Sequence, residues 1–371
     1  MPLPKKGTPE WDQLCTEYLD ANTPVDRATL VQKHGYRDFA SFSARMRERG
    51  VYLLKRAGIT DIPSAPEMET LFLPYPKFKI KPFNVGKVQR DEEDIGIVFA
   101  DHHAGKITES YSADVYEVRM DSLLGSVMDI INLHRPIRNA YILNVGDNIQ
   151  GESAYQGSKI GETDRPARAQ IRELAVPTHS KFVVSLKQGV KEVIYHGVRG
   201  NHGCYDKRAP AKTNWDLFFY DQLAAALQNQ TGIKVDTSEE FYQLIYIRGF
   251  GFFIIHGDQV RSVAGIPLFA LRRKYQEYFA VWGFHYAYCG HWHSKGHDDI
   301  NTMADHTICP PLVTGDSWAL EVVGRASKPM QLVFGVHPRY GRTWQYNLYA
   351  DKKFLPVPTK ISAGVDNASI G

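Results

Sequence analysis

The chain has 371 residues, 43% of them hydrophobic and 23% charged, the balance of an ordinary water-soluble globular protein with room for one large α/β domain and a small accessory one. Its net charge is only +3, and all of it falls in residues 1–60, where ten Lys/Arg face seven Asp/Glu, so a polyanionic partner is to be sought there first. The longest apolar runs are strand-sized, the N-terminus carries no apolar core behind its lysines, and the four cysteines lack C-x-x-C spacing, which argues against a membrane span, a secretion signal, a zinc ribbon or a disulfide framework and favours a reducing cytoplasm.

Thr8-Pro9-Glu10 ahead of Trp11, Leu14, Cys15 and Tyr18 predicts a helix: a hydroxyl cap, proline in the first turn, early acids and helical apolar spacing. A second helix is predicted from about Asp26 to His34, ending at Gly35, and a third from about Phe39 to Arg49, stopping at Gly50. Three short helices with a glycine turn before the last form the pattern of a helix-turn-helix over residues 1–56. Its last helix carries Arg45 and Arg49 four residues apart with Arg47 to one side, residues able to meet phosphates or guanine edges of DNA. The same pattern also describes a small packing or assembly bundle with solvated arginines.

Residues 57–93 read as a connector, with Ile62-Pro63-Ser64-Ala65-Pro66 and Leu73-Pro74-Tyr75-Pro76 too rich in proline for helix. A larger domain is expected over 94–350, and residues 351–371 read as a loose tail. Within that domain five apolar, strand-like runs each end in a cluster of Asp, Asn and His. Ile95–Ala100 leads into Asp101-His102-His103, and Ala140–Val145 into Gly146-Asp147-Asn148. Glu192–Val198 leads into Arg199-Gly200-Asn201-His202-Gly203, Gly251–Ile255 into His256-Gly257-Asp258, and Tyr286–Cys289 into Gly290-His291-Trp292-His293. Helices are expected over about 112–134, 215–229 and 266–279, and a closing pair of strands over about 330–337 and 343–349.

An i, i+2 pair on extended backbone points both side chains the same way, so His291 and His293, or Asp101 and His103, can converge while His102 faces away. Imidazole and carboxylate suit borderline divalent metals such as zinc, manganese, iron or nickel. Any one cluster is also a good turn sequence. Five of them at successive strand ends point to a metal centre.

In this order D-x-H, G-D, G-N-H, a lone histidine and G-H-x-H, the chain resembles the calcineurin-like metallophosphoesterase superfamily over roughly residues 95–295. The resemblance implies an αββα sandwich of two sheets with the site at the carboxyl ends of the strands. It further implies two divalent ions, manganese first and zinc, iron, magnesium or nickel otherwise. One ion would be held by Asp101, His103 and His293, the other by Asn201, His256 and His291, with Asp147 between them and His202 beside the pair as a catalytic residue. Two such ions clamp a phosphate, lower the pKa of a bridging water and stabilise an in-line displacement, and a histidine serves the leaving oxygen.

The chain departs from many relatives in two places. Gly203 stands where an acid usually follows the G-N-H histidine, a role Asp206 could take, and Gln150 stands where another acid is common, with Glu152 following.

The loops after Asp147 and His202 carry Tyr155, Lys159, Arg165, Arg168 and Arg172, then Tyr205, Lys207 and Arg208, and are expected to rim the cleft. Tyr155, Lys207 and Arg208 are the substrate-contact candidates, suited to a sugar-phosphate backbone with base stacking. Together with the N-terminal helices this favours a DNA-directed phosphodiesterase resembling the superfamily's repair-nuclease branch and its phage or prophage relatives. No segment of the kind that docks a coiled-coil ATPase is apparent, and oligomeric state is left open. The alternatives are a phosphatase or a small or cyclic nucleotide phosphodiesterase and, in another class, a non-catalytic DNA-binding protein.

Overall fold

Thr8 starts the first helix, Pro9–Asp20, by accepting the Trp11 N–H on its hydroxyl. The second, Pro24–Lys33, begins two residues before the expected Asp26, because Thr23 and Asp26 form a reciprocal capping box and Pro24 takes a first-turn position, where its missing N–H costs nothing. The third, Phe39–Glu48, is capped by Asp38. Trp11, Leu14, Tyr18, Leu30, Phe42 and Met46 close a small core among the three. In the computed structural model the chain divides into two compact units, Met1–Val85 and Gly86–Gly371. The residues described are 3–21, 23–49, 51, 91–152, 163–204, 210–260, 267–315 and 327–355. Tyr155, Lys159, Tyr205, Asp206, Lys207, Arg208, the connector through residue 90 and the tail beyond residue 355 lie outside them.

The larger unit is the αββα sandwich of two sheets that the resemblance implies. The first sheet contains β1 (Glu93–Phe99), β2 (Ile137–Asn144), β3 (Glu192–Gly197), β4 (Ile233–Thr237), β10 (Met330–His337) and β11 (Gly341–Tyr349), in the order β11-β10-β1-β2-β3-β4. Strands β1 to β4 run parallel, and β10 and β11 add antiparallel. The second sheet has the order β5-β6-β7-β9-β8, built from β5 (Tyr242–Ile247), β6 (Phe250–Ile255), β7 (Tyr286–Cys289), β8 (Gly296–Asp299) and β9 (Asp305–Ile308). Val98, Leu143, Ile254, Tyr288 and Phe334 pack between the sheets. Helices Ala113–His134, Val176–Leu186 and Trp215–Leu227 bury Leu123, Phe182 and Leu223 on the outside of the first sheet. Helix Pro267–Trp282 covers the outside of the second with Leu271 and Tyr275. Parallel strands covered on both faces read as continuous apolar runs, which is why β1 to β3 and β6 stand out in the sequence.

Two expectations are corrected here. Arg168 and Arg172 do not rim a loop: they lie on a helical stretch, Ala167–Ala169 followed by a π-helical turn Gln170–Ala175, that leads directly into Val176–Leu186. Pro177 disguises it in the sequence, since proline lacks the N–H a regular helix needs, and the widened π turn just before it absorbs that defect. Arg165 is paired with Asp164 at 3.1 Å. Strands β4, β8 and β9 were not expected, being short and without an apolar run. Among the described residues no helix is long and apolar enough to cross a membrane.

Candidate metal centre

The carboxyl ends of β1, β2, β3, β6 and β7 bring the five polar clusters to one place. Asp101 and His103 follow β1, Asp147 follows β2, Asn201 and His202 follow β3, His256 follows β6, and His291 and His293 follow β7. Three groups of potential ligand atoms lie within 4.8 Å of one another: Asp101, His103 and His293; His103, Asp147 and His202; Asp101, Asp147 and His256. His103 Nε2 and His293 Nε2 face each other at 3.1 Å. His256 Nε2 lies 2.8 Å from Asn201 Oδ1 and 3.0 Å from Asp147 Oδ2. The His291 ring stands 5.1 Å from that of His256, and its backbone N–H donates to Asp101. All the metal-ligand candidates therefore meet, with Asp147 touching both halves of the cluster.

The backbone is bent to do this. Asp101, His103, Asp147, His291 and His293 account for five of the six non-glycine residues with positive φ among those described. Such a conformation is unfavourable for residues with a Cβ and persists where surrounding contacts over-determine it, which is the habit of functional sites. At Gly146, φ is 95° and an added Cβ would stand 2.6 Å from the Gly200 nitrogen, so the loops after β2 and β3 touch through backbone.

Electrostatics set the cluster apart. Asp101, His103, Asp147 and His256 are all essentially buried. Burial raises the Asp101 carboxyl to about 6, with the Asp147 charge adding to that and His293 and His256 opposing it. Asp147 is held well below the usual carboxylate range despite burial, because His256, His202 and His103 surround it. Burial disfavours a charge on His256, yet Asp147 and Asp101 push it up to about 10. Burial first, and then their histidine neighbours, hold His103 and His291 well below the ordinary imidazole range. Two buried carboxylates thus lie within ligand distance of several imidazoles. A donor set of carboxylate, amide oxygen and neutral imidazole is one that divalent zinc, manganese or iron satisfies. The residues present fit a pair of such ions.

His202 is arranged differently. Its Nδ1 lies 3.1 Å from the Gln150 carbonyl oxygen, which can only accept, so Nδ1 carries the proton. The ring is packed edge-on against His103 at 4.5 Å and is partly exposed, as is His291, whereas the other ligand candidates are buried. This carbonyl supplies the orienting partner that Gly203 does not. His102, as expected, turns away, its Nδ1 3.1 Å from His179 Nε2 in the core.

In the N-terminal unit Arg45 is exposed and pairs with Glu48 at 3.0 Å, and Arg47 is exposed beside its own helix. Arg49 is corrected: its guanidinium donates to the Pro4 carbonyl and lies over the Trp11 ring at 5.6 Å, so it serves that unit's packing instead of sharing an exposed face with Arg45.

Two buried residues at the centre were missed from the sequence. Gln170 holds Gly151 through both its N–H (3.0 Å) and its carbonyl (3.2 Å), next to the carbonyl that orients His202. Asp216 accepts the backbone N–H groups of Asp147 and Gly200. Neither sits in a motif. The one signal in the sequence was Asn214 and Asp216 at a helix start, which reads as ordinary capping.

No family model matches the chain, and no curated protein matches it. Solved structures with similar folds include a vacuolar protein sorting 29 protein from Cryptosporidium parvum, at 13% identity over 67% of this chain and 87% of that one, TM-score 0.32. Vps29 from Entamoeba histolytica, complexed with zinc, is 11% identical over 68% of this chain and 99% of that one, TM-score 0.34. A 5'-nucleotidase from Candida albicans is 9% identical over 66% of this chain and 48% of that one, TM-score 0.32. At TM-scores this low the likenesses carry no argument.

Proposed function

We propose that the chain is a dinuclear metal-dependent phosphoester hydrolase of the calcineurin-like type, and that its substrate is DNA. The observation that carries the hydrolase is the meeting of Asp101, His103, Asp147, Asn201, His256, His291 and His293 from five strand ends in one largely buried cluster. Asp101, His103 and His293 would hold one ion and Asn201, His256 and His291 the other, with Asp147 shared. Bound there, the pair supplies Lewis-acid stabilisation of the phosphoryl oxygens and makes water a competent nucleophile at neutral pH.

The protein's own residues do the rest. The His256 Nδ1–H donates to the Val145 carbonyl at 2.8 Å, which keeps the ring's Nε2 aimed into the cluster. His202, with Nδ1 committed to Gln150, presents Nε2 to the reacting phosphate and handles the proton at the leaving oxygen.

DNA as substrate rests on the basic surplus of residues 1–60 and on the helix-turn-helix order of the N-terminal unit, with Arg45 and Arg47 exposed. The reading that competes with it is a phosphatase or nucleotide phosphodiesterase with an assembly domain. It is favoured by the engagement of Arg49 with Pro4 and Trp11 and of Arg45 with Glu48, which leaves fewer cations for phosphates.

Hydrolysis of single- and double-stranded DNA with manganese, run beside p-nitrophenyl phosphate and cyclic dinucleotides, separates them. Cleavage of DNA is the expected result. Turnover of the small esters alone would overturn the nuclease, and no turnover of any substrate would overturn the hydrolase.

A further inference from the structure

We propose that Asp216 is the positioning residue that keeps the two loops bearing Asp147, Asn201 and His202 in ligating register. It makes no contact with substrate; it acts through the backbone of the ligands. The proposal rests on the reading of the cluster as a pair of metal sites.

Asp216 lies in the first turn of helix Trp215–Leu227 and is fully buried. Its Oδ2 accepts the N–H of Asp147 at 3.0 Å and of Gly200 at 2.7 Å, while Oδ1 accepts the N–H of Asn148 at 3.0 Å and the Asn148 side-chain Nδ2 at 2.9 Å. Four donors from the loops after β2 and β3, distant in sequence, thus converge on one carboxylate. Asn214 completes the clasp: its Oδ1 accepts the Asp216 N–H at 2.8 Å, and its Nδ2 donates to the Gly200 carbonyl at 2.8 Å. Gly200 is therefore held by both its N–H and its C=O.

What separates this from ordinary helix capping is where the four donors come from. Asp147 has a φ of 55°, and fixing its N–H helps hold that unfavourable backbone, from which its carboxylate reaches His256 on one side and the His202 N–H on the other. Gly200 precedes Asn201 and His202 directly. A carboxylate is the side chain that suits four donors, since it only accepts and offers about four lone-pair positions. An asparagine would turn its own N–H₂ toward two of them. The carboxylate bonds directly to the backbone of the ligand candidate Asp147 and is itself outside the ligand set.

The experiment is manganese binding by wild type and Asp216→Asn, followed by calorimetric titration and electron paramagnetic resonance, with thermal melts of the metal-free proteins alongside. For Asp216→Asn the expected result is a loss of affinity of about 10- to 100-fold per folded molecule, as for outer partners of metal ligands generally. The spectrum of a coupled manganese pair should give way to that of isolated ions. A purely structural role lowers the metal-free melting temperature but leaves affinity and spectrum alone, and that outcome overturns the proposal. Should Asp216→Asn not fold, Asn214→Ala keeps the carboxylate and removes what fixes it. A smaller loss of affinity is then expected, and wild-type affinity in that variant overturns the proposal. If the wild type itself takes up no pair of ions, the dinuclear reading falls, and the positioning role with it.

Discussion

The backbone N–H of His202 donates to Asp147 Oδ1 over 2.7 Å, so the residue proposed to serve the leaving group is built onto the ligand proposed to serve both ions. The same histidine's ring is oriented from the other side by the Gln150 carbonyl. Position and chemistry are therefore separable: the main-chain N–H of His202 bonds to Asp147 whatever side chain stands at that position.

His202→Gln keeps the backbone donor and removes the imidazole. Turnover should fall by about 100- to 10,000-fold with metal content unchanged. Elemental analysis beside steady-state kinetics checks both halves, and a wild-type rate would reduce His202 to packing. Asp147→Asn should instead lower the metal content itself.

Chelation should destabilise the larger unit. Each ion held at a hundred times its Kd contributes about 2.7 kcal/mol to the folded state, or roughly 5–10 °C in melting temperature for a domain of this size. Scanning calorimetry before and after dialysis against a chelator, then with manganese restored, measures it. A melting temperature indifferent to divalent metal would contradict the dinuclear centre.

Phe42 is fully buried where all three N-terminal helices meet, with Tyr18 at 5.6 Å and Tyr36 at 4.9 Å between ring centroids. Phe42→Ala should cost about 3–5 kcal/mol, enough to unfold so small a unit. The expected result is weaker DNA binding with a shallower salt dependence, while hydrolysis of p-nitrophenyl phosphate is kept. DNA binding identical to wild type would place the polyanion contacts elsewhere.

Acid should weaken the fold through histidines that are not among the metal-ligand candidates. Burial lowers His196 and His306 to about 4, and both His306 ring nitrogens lack a hydrogen-bond partner among the described residues. Each is neutral when folded and takes up a proton near pH 6.5 when unfolded. Between about pH 6.5 and 4 the unfolded chain thus binds more protons, so stability is full above that window and is lost as pH falls through it. His306→Leu should remove on the order of 2–3 kcal/mol of the loss between pH 7 and 4.5, read from denaturant midpoints at the two pH values. An unchanged loss would show that His306 is not a source of the acid sensitivity.

The sequence by itself determined the strands that carry the centre and the polar clusters that end them. A buried parallel strand reads as a near-continuous apolar run, and carboxylate, amide and imidazole side chains suit borderline divalent metals, so both show in the residue types alone. Helix starts at Thr8 and Ser112 were legible for the same reason, a cap being a local device. Only the tertiary structure decided what depends on residues distant in the chain. The partner of His202 proved to be a backbone carbonyl, which no side-chain motif can announce. Arg49 turned to Trp11 because cation and ring meet only when the helices pack. Asp216, an unremarkable acid at a helix start, became the common acceptor of two loops because β2 and β3 run parallel, which sets their carboxyl ends side by side where the next helix begins.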